Sequence, residues 1–345
     1  MLDKETQILN FIQENQAVSS KEIHEGIPSE FGYATIKRAL TDLKKRQFIT
    51  TKGQGKGTTY SISPAYEVLK PIDLEEYFLK EIDDRKIKES FNLNLMPDVL
   101  STIKLFSSSE IEKLKNLQNL YTQKVKELTE TEYNKELERL AIDLSWKSSQ
   151  IEGNTYSLLE TERLLKEKET AAGKTKDDAT MLLNHKEAID FIVADPAYLN
   201  PLSLARIEDI HSILMKELGI ERNIRLRRVG ISGTNYTPLD NEFQIREALQ
   251  DMCYLINKKQ SVFEKAFLAL VLISYIQGFN DGNKRTARIL SNAILILNKH
   301  CPISFRTIDS ITYKKAMLVF YEQNNVAPLK DIFIGQFEFA VKTYF

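Results

Sequence analysis

Cysteine, glycine and proline are all sparse in this chain. The two cysteines, Cys253 and Cys301, stand alone in apolar surroundings with no CxxC spacing. That excludes a disulfide framework and a thiolate metal knuckle, and it fits structural thiols in a reducing compartment. Thirteen glycines and nine prolines in 345 residues argue against a turn-rich β architecture and for helices. There is no large excess of charge of either sign, the formal net charge being -1. There is no long hydrophobic run either. The most apolar stretch, 266–273, is too short to span a bilayer. The N-terminal MLDKETQIL carries an acidic pair where a signal peptide needs an apolar run. The expectation is a cytoplasmic protein with no membrane segment.

The small net charge hides an uneven distribution. Between 33 and 60, Lys37, Arg38, Lys44, Lys45, Arg46, Lys52 and Lys56 face Asp42 alone. This basic stretch lies in a section, residues 1–63, that reads as three helices followed by a hairpin. Ile8, Leu9, Phe11 and Ile12 share a face of the first helix. Ser19 and Glu22 form a capping-box pattern at the start of the second. Ile36, Leu40 and Leu43 repeat at helical spacing in the third, about 34–46. Two strands follow, 48–51 and 58–62, around the glycine-rich 53–57. This order resembles a winged helix-turn-helix domain. The resemblance places the third helix in a DNA major groove, with Lys37, Arg38, Lys44 and Arg46 on or beside its polar face. Lys52 and Lys56 would flank the wing. The other reading of residues 33–60 is a solvated basic face on a partner-binding or dimerising module.

Residues 64–108 read as a connector, punctuated by Pro64, Pro71 and Pro97. From 109 to 345 nearly every segment has helical periodicity. The exception is 227–239 (RRVGISGTNYTPL), which alternates and turns at Ser232-Gly233, and therefore predicts a small β-hairpin.

The most informative stretch is 277–288, QGFNDGNKRTAR, a polar run between the very apolar segments 263–276 and 289–297. Gly282 permits a tight turn before a helix that begins near Asn283. Main-chain N–H groups at such a start attract anions, phosphate above all. Arg285 and Arg288, three apart, share one helical face, and two fixed cations there suit a polyphosphate. Asp281, just ahead, is placed to hold Mg²⁺ on the same phosphates. Phe279 should point into the core. By itself an Asp-Gly-Asn sequence is equally a plain helix N-terminus with a dipole-favoured carboxylate. The two arginines between buried helices tip the reading towards a site.

This run resembles the Fic family signature, HxFx(D/E)GN(G/K)R, from Phe279 to Arg285. The resemblance implies a mainly α, helical Fic-fold domain with a small β-hairpin flap, behind the N-terminal winged helix-turn-helix module. It also implies transfer of AMP from ATP, with Mg²⁺, to a hydroxyl side chain of a target protein, the chain itself included. Asp281 would take the metal. Gly282, Asn283, Lys284, Arg285 and Arg288 would bind the nucleotide, Arg288 at its γ end. A second stretch, Ser148-Ser149-Gln150-Ile151-Glu152-Gly153, resembles the family's inhibitory motif (S/T)xxxE(G/N). There Glu152 would reach Arg288 and take the γ-phosphate's place. Gly153 also reads as an ordinary helix C-cap. The 227–239 hairpin would take a target segment as an added strand, with Ile231 and Tyr236 clamping target or nucleotide, unless they simply cover the core.

The family's catalytic His falls at Gln277. That role needs a group that accepts a proton near neutral pH, and an amide does not. The remaining histidines, His24, His185, His211 and His300, read as structural or surface groups. Two functions follow. One is a protein adenylyltransferase autoinhibited by Glu152 and weakened at Gln277. The other is a non-catalytic nucleotide-binding regulator coupled to a DNA-binding winged helix. A homodimer is compatible with either.

Overall fold

A computed structural model describes residues 3–27 and 31–345. Met1 and Leu2, the head of the stretch judged unlike a signal peptide, lie outside the described residues, as do 28–30 of the winged-helix section.

The N-terminal section contains helix α1 (Asp3–Asn15), strand β1 (Val18–Ser19), α2 (Ser20–Gly26), α3 (Tyr33–Lys45), β2 (Ile49–Lys52) and β3 (Thr59–Ile62). The strands form a small antiparallel sheet in the order β1-β3-β2. Its core is the apolar set that the sequence pattern places on one face of each helix, including Ile8, Leu9, Ile12, Ile36, Leu40 and Leu43. The Ser19 capping box forms in full, starting α2. The basic face is only partly free. Arg46 turns away from the polar face of α3, binds Glu5 at 2.7 Å and lies over the Phe48 ring. Lys37, Arg38 and Lys44 are exposed, as are Lys52 and Lys56 in the wing.

The connector expected at 64–108 is packed against the rest of the chain. It holds α4 (Pro64–Leu69), α5 (Leu74–Tyr77) and a π-helical turn at Leu95–Leu100, and it buries Phe91, Leu95, Leu100, Leu105 and Phe106 in the main core. Gln47 of the winged-helix section exchanges two hydrogen bonds with the main chain of Lys104.

The rest is helical. The elements are α6 (Ser108–Glu127), α7 (Glu130–Ile151), α8 (Leu158–Glu167), α9 (Lys176–Ala194), α10 (Leu204–Leu214), α11 (Glu242–Lys258), α12 (Val262–Ile276), α13 (Asn283–Leu297), α14 (Ser310–Gln323) and α15 (Ala327–Thr343). Helix α12 is apolar on every side and lies buried, packed against α11, α13, α14 and α15. Helix α13 packs back along it, so the 277–282 loop between them is fixed at both ends. Among the described residues no helix is long and apolar enough to cross a membrane.

The expected hairpin at 227–239 does not form. The chain turns at Ser232-Gly233 as anticipated, but its two arms exchange no ladder hydrogen bonds. The returning arm pairs instead with the connector, through the single parallel bridge Ser90–Thr237. The main-chain and side-chain partners of the two arms lie outside the loop: Arg225 bonds the carbonyls of Arg227 and Leu239, and Arg85 that of Gly233.

Candidate nucleotide site

A cavity of about 420 Å³ opens where the N-terminus of α13, the C-terminus of α7, α14 and the 229–232 arm meet. Gly282, the N-cap of α13, has φ +80°. That φ is one that side chains with a Cβ rarely adopt, and a Cβ there would also press on the end of the Met215 side chain at 2.6 Å, so glycine suits the turn. Asn283 then ties the loop to itself. Its Oδ1 accepts from the Phe279 N–H at 2.9 Å and its Nδ2 donates to the Phe279 carbonyl at 2.8 Å. Phe279 is fully buried and stacks on His211, with ring centroids 3.8 Å apart.

His211 is a group whose role the sequence did not disclose. Buried on α10, it places Nε2 2.9 Å from the Asp281 carbonyl and Nδ1 3.3 Å from that of Arg222. Burial lowers its pKa, although the two carbonyls oppose the shift. It therefore supports the loop from below and does not line the cavity. No sequence signal pointed to it, because it sits in an ordinary helical pattern.

The two arginines of α13 are both buried but differently satisfied. Arg285 donates from Nη2 to Asp281 Oδ2 at 2.8 Å, while its Nε and Nη1 have no protein partner. Leaving buried guanidinium N–H groups unpaired is costly, so a cavity-lining arginine of this kind suits an anion. Asp281 also accepts from the Gly282 N–H at 2.6 Å, and its side chain stays 60% exposed. Among the described residues no cluster of three or more His, Cys, Asp or Glu is arranged to hold a metal. Asp281 thus fits a cation only as one ligand beside a substrate's phosphates.

Arg288 lies deeper. Its Nη2 binds Glu152 Oε1 at 2.6 Å and the Ser148 carbonyl at 3.0 Å, and its Nε binds Ser148 Oγ at 2.8 Å. The Tyr313 ring lies under the guanidinium. Glu152 caps α7, and Gly153, at φ +103°, turns the chain away in the manner of a C-cap. Lys284 approaches the other carboxylate oxygen at 3.5 Å. Burial pushes the Glu152 carboxyl up, but Arg288 and Lys284 outweigh it and hold its pKa at about 2. Glu152 therefore stands as a full negative charge on the cavity wall.

Gln277 ends α12 in the left-handed region, φ +53°. Its amide is committed on both sides. Nε2 donates to the Ser274 carbonyl at 2.6 Å and lies 3.4 Å from the Tyr321 hydroxyl, while Oε1 accepts from Asn283 Nδ2 at 3.1 Å. None of the four histidines lines the cavity. His185 is fully buried beside Arg288 and Arg285, and burial together with those charges holds it neutral.

Across the cavity, Ile231 lines the wall as expected. Tyr236 does not. It turns into the core, where its ring packs with those of Tyr275 and Tyr321 and its hydroxyl donates to the Tyr275 carbonyl at 3.2 Å. A tyrosine buried to 2% exposure cannot clamp a target, so the core-covering alternative holds for this residue. Arg225, another residue with no sequence signal, sits at the base of the loop. Its side chain donates to the carbonyls of Gln277, Arg227 and Leu239, and its N–H to that of Gly278. It fastens the loop to the 277–278 turn.

Comparison with known proteins bears on the fold and its two sections. Residues 201–295 match the Fic/DOC family, and residues 2–120 match the penicillinase repressor family. A section similar to the Fic/DOC family thus follows one similar to a winged-helix repressor family. Among named relatives, the protein adenylyltransferase Fic of Nematostella vectensis is 28% identical over 193 residues, which is 54% of this chain and 43% of that protein. The protein adenylyltransferase fic-1 of Caenorhabditis elegans is 28% identical over 195 residues, 53% of this chain and 35% of that protein. The chain thus spans less than half the length of these relatives. In fold, it resembles the solved Fic-1 (aa134 - 508) from C. elegans, with a TM-score of 0.60 at 20% identity, covering 69% of this chain and 72% of that one. It also resembles a Fic domain containing signaling protein from Bacteroides thetaiotaomicron, with a TM-score of 0.56 at 19% identity, covering 67% and 96%.

Proposed function

We propose that the cavity is an ATP site of the protein adenylyltransferase class, kept shut by Glu152 and slowed by Gln277. The supporting observation is the pair of buried arginines, Arg285 lining the cavity with two nitrogens unpartnered and Arg288 behind it tied to a carboxylate with one nitrogen unpartnered. In this reading Gly282, Asn283, Lys284 and Arg285 bind the polyphosphate. Arg288 takes its γ end once Glu152 withdraws. Mg²⁺, when bound, supplies charge neutralisation on the phosphates, with Asp281 as the protein's ligand. A target hydroxyl oxygen bonds to the α-phosphorus as the bond from that phosphorus to the β-bridging oxygen breaks, and pyrophosphate leaves. The hydroxyl proton has no acceptor at Gln277, whose carbonyl oxygen is engaged by Asn283, and passes instead to water or to the departing pyrophosphate. The site therefore relies on positioning and charge stabilisation, which carry much of phosphoryl-type transfer. Ile231 is the target-side contact from the 229–232 arm. The proposed division of the chain is a winged helix-turn-helix at 1–63, a connector at 64–108 and the Fic domain at 109–345, in a cytoplasmic protein.

A second reading has a specific support. The engaged amide of Gln277 and the penicillinase repressor match over 2–120 favour a regulator that senses nucleotide and binds DNA through residues 33–60. Labelled ATP and Mg²⁺ separate the two. The Glu152→Gly protein and its Gln277→His counterpart are each incubated with label, and ATP binding is measured in parallel. Label on protein supports the transferase. Nucleotide binding without label in either variant supports the regulator. Absence of nucleotide binding in both removes both readings.

A further inference from the structure

The loop over the cavity is held from outside by the connector. The carbonyl of Gly233, at the loop's turn, accepts a 2.8 Å hydrogen bond from Arg85 Nη2. Arg85 belongs to the connector, yet its side chain is only 3% exposed. It lies over the Phe78 ring, and its Nη1 is 3.2 Å from Glu322 Oε1 at the end of α14. That ionic contact lacks hydrogen-bond alignment, since neither atom has a hydrogen-bond partner. Arg85's directional bond therefore goes to the loop, and its charge is balanced by Glu322. Tyr77 Oη holds the other oxygen of Glu322 at 2.6 Å. Two further links run alongside. Asn235 Nδ2 donates to Asp83 Oδ1 at 3.2 Å, and the Thr237 N–H donates to the Glu89 carbonyl at 2.8 Å.

These contacts are all on the far side of the loop. On the near side, Val229 to Ser232 line the cavity. The two arms of the loop are not paired to each other, and Tyr236 anchors only the returning arm in the core. At the tip, Gly233, the main chain is held by the buried cation of the connector.

We propose that Arg85 is a positioning residue that sets the 229–233 arm over the cavity, making the connector part of the candidate site. This deepens the reading of 227–239 as the target-side wall and rests on it. A lysine keeps a charge opposite Glu322, but its single ammonium lacks the planar fork that spans both Glu322 and the Gly233 carbonyl.

The test is amide hydrogen exchange on the full chain, comparing the wild type with Arg85→Lys. Exchange in peptides covering 228–239, which include the Thr237 N–H bonded to Glu89, should rise about five- to tenfold, the scale of losing one ordinary hydrogen bond. Peptides from α12 and α13 should keep their wild-type rates. The double variant Arg85→Gln/Glu322→Gln leaves no unpaired buried charge and should loosen the same peptides. Unchanged loop exchange in both variants overturns the proposal. So does a rise of equal size in α12 and α13, which would make Arg85 a general stability residue. Neither result depends on nucleotide binding or transfer, so the proposal and the transferase reading can fail separately.

Discussion

The two walls of the cavity are built on opposite principles. The helical wall, from α7 and α13, is closed by interactions within rigid elements: Glu152 with Arg288 and Lys284, Asn283 with Phe279 and Gln277. The loop wall, 227–239, has no ladder of its own and depends on Arg225 at its base and Arg85 at its tip. Chemistry that needs fixed charges sits on the first wall. On the proposed reading, contact with a target falls to the second, where main-chain groups remain available. The comparison also shows where the helical wall is incomplete. Everything an anion needs is present, but the proton acceptor is an amide already bonded on both sides.

The largest expected effect tests that gap. In a Glu152→Gly background, Gln277→His should raise the rate of adenylyl transfer by ~10²–10⁴-fold, the usual range for general-base catalysis. Equal rates, followed as label incorporated per minute, would mean that the proton leaves by a route independent of position 277. The next effect tests the lock. Glu152→Gly alone should tighten ATP binding by ~5–150-fold, as expected for coupling free energies of this kind. Calorimetric titration reading the same affinity as wild type would remove Glu152 from regulation. A smaller effect separates the walls. Ile231→Ala should leave ATP affinity within about twofold, since a surface apolar truncation is worth little. Labelling of target should nevertheless fall. Loss of both together would mean that the loop holds nucleotide as well.

Much of the helical wall could be read from sequence because its signals are local. Gly282 with its positive φ, the α13 arginines three apart and the apolar runs of α12 and α13 each lie within a few residues. The Ser19 box and the inward Phe279 are equally local. The loop wall was misread because its determinants are distant in sequence. Tyr236 sits in an alternating polar stretch that reads as an exposed strand, while its actual partners, Tyr275 and Tyr321, come from α12 and α14. Arg225 and Arg85 bind carbonyls, and a carbonyl acceptor leaves no trace in residue identity. The packing of the 64–108 connector could not be read for a related reason. Its prolines and charges are conspicuous, whereas its buried Phe91, Leu95, Leu100 and Leu105 follow no 3.6-residue period, partly because Leu95–Leu100 is a π-helical turn.

The smallest effect expected is a flat line, and it bears directly on the rigidity of the helical wall. Glu152's folded pKa of about 2 lies below its ordinary value of 4.5. A depressed carboxylate pKa contributes stability that is fully present above the unfolded value and is lost as pH falls towards the folded one. The melting-temperature difference between wild type and Glu152→Gln should therefore be constant from pH 5 to pH 8. It should narrow only as the pH drops from about 4.5 towards 2. A difference that changes between pH 6 and 7 would require a titrating neighbour, and His185 is the histidine beside this arginine pair. Burial and the charges of Arg288 and Arg285 already hold His185 neutral well below that range, so it has no proton to exchange there. If the line is flat, opening of the lock by physiological pH is excluded. Withdrawal of Glu152 must then come from a competing anion at Arg288 or from movement of α7.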